Sequence, residues 1–145
     1  MADLIWLNED ALRRTHPVFT TAGPDAKAVF VWDRSYVDAC HIGLKRQLFI
    51  YETLVELGVE LFEGKPEAVL ANLVVENDVD RILVPASPNP EIMRRVANIR
   101  SALPDVSVET VEDLPFVTPA RDPDLGRFFR YWNKVRKSAM RPNGV

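Results

Sequence analysis

The stretch Arg81-Ile82-Leu83-Val84-Pro85-Ala86-Ser87-Pro88-Asn89-Pro90-Glu91-Ile92 holds a strand, a loop and a helix start in one short run. Ile82-Leu83-Val84 is continuously apolar, the pattern of a parallel strand buried on both faces. That predicts a strand over 81–85. Asn89 is a good N-cap, and Pro90 suits the first helical position, where its missing N–H costs nothing. Ile92, Val96, Ile99 and Leu103 then follow on one helical face. Pro104-Asp105 turns the chain into a further strand at 106–111.

The same unit recurs toward the N-terminus. Leu4-Ile5-Trp6-Leu7 and Ala28-Val29-Phe30-Val31-Trp32 read as strands, and so does 59–62. Between the second and third, 33–43 reads as a loop. After it Leu44, Leu48, Tyr51 and Val55 recur at helical spacing, with Gly58 as a stop signal. Gly64-Lys65-Pro66 opens the next helix, whose apolar face is Val69, Leu70, Leu73 and Val74. Residues 8–22 are less regular. They hold a short helix around 10–14, interrupted at Pro17 and closed by Gly23-Pro24. A last helix is predicted at about 124–138, with Leu125, Phe128, Phe129, Trp132 and Val135 on its apolar face. Strands and helices alternate throughout, which predicts an α/β fold: a parallel sheet covered by helices on both faces, with right-handed crossovers. The stretch 112–124 is too short to separate two domains, so 1–145 is expected to be a single domain.

Composition agrees. The chain has 145 residues, of which 47% are hydrophobic and 27% charged, the balance of a globular protein. One cysteine, Cys40, excludes an internal disulfide, and two histidines, His16 and His41, argue against a dedicated metal site. No apolar run approaches the roughly 20 residues of a membrane span. The start Met1-Ala2-Asp3-Leu4 has no basic region of the kind that opens a signal peptide, so a cytoplasmic location is expected. The net charge of −3 is uneven. Residues 121–145 carry seven basic side chains (Arg121, Arg127, Arg130, Lys134, Arg136, Lys137 and Arg141) against Asp122 and Asp124, while the rest is acidic. A basic tail on an acidic body docks most simply on its own domain. Nucleic-acid binding by the stripe Arg127, Arg130, Lys134 and Lys137 is the lesser expectation.

Several motifs are absent. There is no G-x-G-x-x-G after the first strand, no G-x-x-x-x-G-K-[ST] and no G-x-S-x-G. Six glycines leave no Gly-rich phosphate cradle. Ligands of open parallel sheets bind beyond the carboxyl ends of the strands. That directs attention to Asn8-Glu9-Asp10, Asp33-Arg34-Ser35-Tyr36 and Ala86-Ser87-Pro88-Asn89. Cys40-His41 places a thiol beside an imidazole in sequence, but nothing supplies the third partner of a catalytic nucleophile.

Read in order, the segments resemble the N-terminal α/β domain of the DNA photolyase/cryptochrome family. The opening Leu4-Ile5-Trp6-Leu7-Asn8-Glu9-Asp10-Ala11-Leu12-Arg13, followed by His16-Pro17-Val18-Phe19, is similar to the family's first strand, polar turn and Asn-Pro-Ala-Leu. Val29-Phe30-Val31-Trp32-Asp33 resembles its Val-Phe-Val-Leu-Asp. Lys45-Arg46-Gln47-Leu48-Phe49-Ile50-Tyr51-Glu52-Thr53-Leu54-Val55-Glu56-Leu57 resembles its Arg-x-x-Phe-Leu-x-Glu-Ser-Leu-x-x-Leu helix. Phe62-Glu63-Gly64-Lys65-Pro66-Glu67-Ala68-Val69-Leu70 resembles its Gly-Asp-Pro turn, and Phe128-Phe129-Arg130-Tyr131-Trp132 its closing Phe-x-x-Phe-Trp.

The resemblance implies a Rossmann-like three-layer α/β/α domain with a five-stranded parallel sheet in the order 3-2-1-4-5. It implies an antenna chromophore (a flavin, deazaflavin or folate) near the loops after the first, second and fourth strands. By position its contacts would be Asn8, Glu9, Asp10, Asp33, Arg34, Tyr36, Ser87 and Asn89. The family's helical FAD and DNA-repair domain would begin where these residues end, so no lesion repair is expected of them alone. Two features depart from the family. Asn8-Glu9 puts an acid where the family has a basic turn, which disfavours an anionic ligand. The loop 85–90 lacks the aromatic and charged side chains that usually surround an antenna. Three readings follow: a non-catalytic ligand-binding module; an interaction or self-association module using Phe128, Phe129, Tyr131 and Trp132 of the last helix, through a homodimer or a separate protein; and a small nucleotide-handling enzyme of the same broad fold.

Overall fold

Residues 2–115 and 127–139 are described in a computed structural model of the chain. It divides into two compact units, Met1–Asp113 and Leu114–Val145. The first unit runs β1 (Ala2–Trp6), α1 (Val18–Thr21), β2 (Lys27–Trp32), α2 (Arg34–Ala39), α3 (Leu44–Leu57), β3 (Glu60–Glu63), α4 (Pro66–Glu76), β4 (Val79–Pro85), α5 (Pro90–Ala102) and β5 (Ser107–Val111). The second contains α6 (Phe128–Ala139).

Every strand pairing is parallel, and the sheet order is β3-β2-β1-β4-β5. β1 is central, with Ile5 in register with Ala28 on one side and Leu83 on the other. Its alternate residues therefore feed opposite cores. Leu4 and Trp6 join Val29, Val31, Ile82 and Val84 under α4 and α5, whose buried residues are Leu70, Leu73, Ile92, Val96 and Ile99. Ile5 and Leu7 join Phe30 and Leu83 beneath Val18 of α1 and Ile50 and Leu54 of α3. Burial on both faces explains the unbroken apolar runs of β1, β2 and β4. Burying one such side chain fully is worth about 1.5–3 kcal/mol.

Capping fixes the helix starts. The Asn89 side chain accepts from the Glu91 N–H at 3.0 Å, and Pro90 follows, as the sequence predicts. Gly58 ends α3 in the left-handed region (φ 67°), where a residue with a Cβ is strained. At the foot of the sheet, Arg81 on β4 forks onto Asp3 of β1, with Nε–Oδ1 at 2.9 Å and Nη2–Oδ2 at 2.6 Å. Asp3 also accepts from the Gly23 N–H. The Arg81 hydrogen bond holds the Asp3 carboxyl below its usual pKa, with the Gly23 N–H assisting.

The structure corrects three local expectations. The short helix expected around 10–14 is a series of turns, and the helical turn comes later, at Val18–Thr21. Pro17 starts that turn rather than interrupting one; its carbonyl accepts the Thr20 and Thr21 hydroxyls. The expected loop at 33–43 contains α2, capped by Asp33. α2 buries no residue, so no apolar period announces it. α6 is observed from Phe128, while 124–126 of the expected helix lie outside the described residues.

α3 shows a different kind of departure. It is held by Ile50 and Leu54. The stripe Leu44, Leu48, Tyr51 and Val55, which marks the helix in the sequence, faces solvent with exposures of 80%, 55%, 49% and 61%.

Candidate ligand cleft at the carboxyl edge of the sheet

The loops that follow β1, β2 and β4 converge at one edge of the sheet and form two hydrogen-bonded groups. Buried Asn8, just past β1, ties the first loop to the fourth strand: its side-chain amide donates to the Pro85 carbonyl at 3.0 Å. Its Oδ1 accepts from the Asp10 N–H. Asp10 accepts the Ser87 hydroxyl at 2.6 Å, and Ser87 Oγ accepts from the Asn89 N–H. Asn8, Asp10, Ser87 and Asn89 thus form a continuous brace between the β1 and β4 loops. Ser87 also lines a separate depression beside β5 with Pro85, Ala86, Ile92, Met93 and Val96.

The second group surrounds Tyr36. Asp33 caps α2 by accepting from the Ser35 N–H, which places Tyr36 on the first turn of that helix. The Tyr36 hydroxyl donates to Glu9. Burial first, and this hydrogen bond second, push the phenol well above its ordinary pKa, so it is a fixed proton donor at neutral pH. Arg95 reaches in from α5. Its guanidinium carbon lies 4.0 Å from the Tyr36 ring centroid and 5.8 Å from that of Trp6. Cation–π contact of this kind stabilises a partly desolvated cation. Arg95 Nη2 is buried and has no hydrogen-bond partner among the described residues. A buried donor left without an acceptor costs about 1–3 kcal/mol.

Two spaces adjoin this group. Behind Tyr36, an enclosed space of about 10 Å³ is lined by Glu9, Phe30, Trp32, Ile42 and Arg95, among others. It holds at most one water. In front of it lies an open cleft of about 350 Å³, with Asp33, Tyr36, Lys65, Arg94, Arg95 and Glu91 in its walls. Lys65 stands 3.6 Å from Asp33. Clefts that hold small ligands start near 300 Å³. One bicyclic or tricyclic ring system fits this size and a dinucleotide does not. The cleft's cations, Lys65, Arg94 and Arg95, are matched by Asp33, Glu67 and Glu91; Lys65 pairs with Asp33 and Arg94 with Glu91.

Of the eight residues proposed from sequence, Asp33 and Tyr36 line the cleft, and Glu9 fixes Tyr36 from behind. Asn8, Asp10, Ser87 and Asn89 brace the loops. Arg34 does not line the cleft; it is ion-paired to Glu63 on the edge strand at 2.6 Å. Arg95 escapes sequence reasoning. It sits one position before the buried Val96 and reads as a solvated helix residue; only the fold brings it to Trp6 and Tyr36. Cys40 and His41 form the turn after α2, with His41 in the left-handed region.

In the second unit, Phe128 stacks on Trp132 with centroids 6.1 Å apart and meets Phe129 edge-on at 5.7 Å. Phe128 and Phe129 are exposed, and Val135 is buried. Arg127, Arg130 and Lys134 are exposed. The side chains of Tyr131 and Lys137 lie outside the described residues. Among the described residues no helix is long and apolar enough to cross a membrane.

Comparison with solved structures finds the same fold in a bacterial class III photolyase from Agrobacterium tumefaciens. The TM-score is 0.61 at 16% sequence identity, over 97% of this chain and 32% of that one. The chain therefore spans about a third of that photolyase. No protein-family model matches the sequence. No curated protein matches it either.

Proposed function

We propose that this photolyase-like α/β module is a non-catalytic binder of one planar heterocycle of the flavin, deazaflavin or pterin class. The ring would sit in the cleft walled by Asp33, Tyr36, Lys65, Arg94 and Arg95. The observation that carries the reading is the unpartnered Arg95 donor held between two aromatic faces beside a cleft of matching size. Flavins, deazaflavins and pterins all present ring carbonyls that accept such a donor. Tyr36 offers its ring for stacking, and Asp33 offers an acceptor for a ring N–H. Any such ligand binds in front of Tyr36, because the space behind it is too small.

The test is a fluorescence titration with FMN and with 5,10-methenyltetrahydrofolate. One ligand should saturate at one per chain. Arg95→Met and Tyr36→Ala should each weaken it by about tenfold or more, the value of a charged hydrogen bond or an aromatic contact. No saturation with either compound, or saturation that both variants leave intact, overturns the reading.

A second reading is favoured by the exposed aromatic pair Phe128 and Phe129. In it the pocket is a remnant, and the chain associates with itself or another protein through α6. Trp132→Ala would then lower the mass seen by light scattering.

A further inference from the structure

α3 carries two apolar stripes. Ile50 and Leu54 face the sheet. Leu44, Leu48, Tyr51 and Val55 face outward, spaced four, three and four residues apart, which is the seam pattern of a helix packed against another helix. Exposed Leu61 on the edge strand β3 and half-buried Trp32 extend this surface into a shallow apolar groove with Leu44, Leu48 and Tyr51.

The charges along α3 are ordered, and Lys45 and Glu52 flank the seam. Lys45 and Arg46 lie in the first turn of α3, Glu52 and Glu56 in its C-terminal half, and all four are exposed. Among the described residues none of the four makes an ion pair. This order opposes the helix's own dipole, which favours acids at the N-terminus and bases at the C-terminus; α3 has neither. The arrangement therefore does nothing for α3 alone. It does suit one occupant. A second α3 laid antiparallel along the seam sets Leu44 against the partner's Val55 and Leu48 against the partner's Tyr51. The same two-fold places Lys45, which flanks the seam, beside the partner's Glu52, which flanks it on the same side, twice over. It also opposes the two helix dipoles head to tail.

We infer that the outer face of α3 is a self-complementary docking surface for a second copy of this chain, joined antiparallel about a two-fold axis. The inference is independent of the ligand cleft. A seam of one helix is small against the roughly 800 Å² per partner of a standard interface, so the dimer is weak and concentration-dependent.

Sedimentation of the full chain from about 1 μM to about 500 μM tests it. The expected mass rises from 16.4 kDa toward about twice that value. Leu48→Glu should hold it at the monomer. The charge-reversed Lys45→Glu and Glu52→Lys variants, altered only at exposed positions, should each associate more weakly alone than the parent. Mixed together they should re-form a dimer containing one of each. A parent chain that stays monomeric throughout overturns the inference. So does a dimer that survives Leu48→Glu, or a charge pair that fails to associate on mixing; these outcomes would assign association to α6 or leave α3 to a different partner.

Discussion

The two faces of the sheet are built from the same strands but finished differently. On one, α4 and α5 bury Leu70, Leu73, Ile92, Val96 and Ile99 over β1, β2 and β4. On the other, the four-residue α1 buries Val18, and α3 buries Ile50 and Leu54 while turning its longer apolar stripe outward. The first face is closed by its own helices. The second is closed directly over the sheet and left apolar one layer further out. Apolar character along a helix therefore reports that a face is to be covered, but not whether the chain itself covers it.

The largest effects should come from the buried contacts, and they test whether the two faces are equal where they meet the sheet. Leu70→Ala on α4 and Leu54→Ala on α3 should each cost about 2–5 kcal/mol in urea denaturation, as fully buried leucines do. If Leu54→Ala is tolerated, α3 is an appendage and the contrast lies elsewhere. Next comes capping. Asn89→Ala should lose about 1 kcal/mol of global stability, because α5 is anchored in the core. Asp33→Ala, which uncaps a helix with no buried residue, should fray α2 locally and leave the urea midpoint nearly unchanged; hydrogen exchange of the Ser35 and Tyr36 amides would show it.

On the α1/α3 face, acid should act through one buried side chain. His16 is buried, and its Nδ1 accepts from the Val18 N–H at 3.0 Å. Burial, the largest influence, lowers its pKa from 6.5. A histidine with a depressed folded pKa is stable when neutral, so stability is full above about pH 6.5 and is lost as pH falls below it, where the unfolded chain takes the proton more readily. The melting temperature should decline more steeply below pH 6.5 in the parent than in His16→Asn, whose side-chain oxygen can keep the Val18 contact. Equal declines would place the acid sensitivity elsewhere. Smallest of all, Leu48→Ala in dilute solution should change stability by less than about 0.5 kcal/mol, against the several expected at Leu54 on the same helix.

These contrasts mark what the sequence could show. The parallel sheet was legible because β1, β2 and β4 are buried on both sides and carry unbroken apolar runs. α5 was legible from Asn89-Pro90 and its apolar period. α2 was not, since it buries nothing and gives no period. In α3 both stripes are apolar, and no property of the sequence tells which one meets the sheet. At the cleft, Asp33 and Tyr36 could be found because they sit just past a strand end. Arg95 could not, because its role depends on α5 bringing it to rings from β1 and α2, far away in the chain. Arg34, next to Asp33, was drawn instead to Glu63.

We propose that the edge built by Glu9, Asp33, Tyr36 and Arg95 holds a planar heterocycle. The most direct measurement is the absorbance and fluorescence spectrum of the protein isolated from its natural source, with the bound compound released and quantified. A near-ultraviolet or blue chromophore is expected at close to one per chain, lost in Arg95→Met. A colourless protein that also fails to take up FMN or the reduced folate would contradict it.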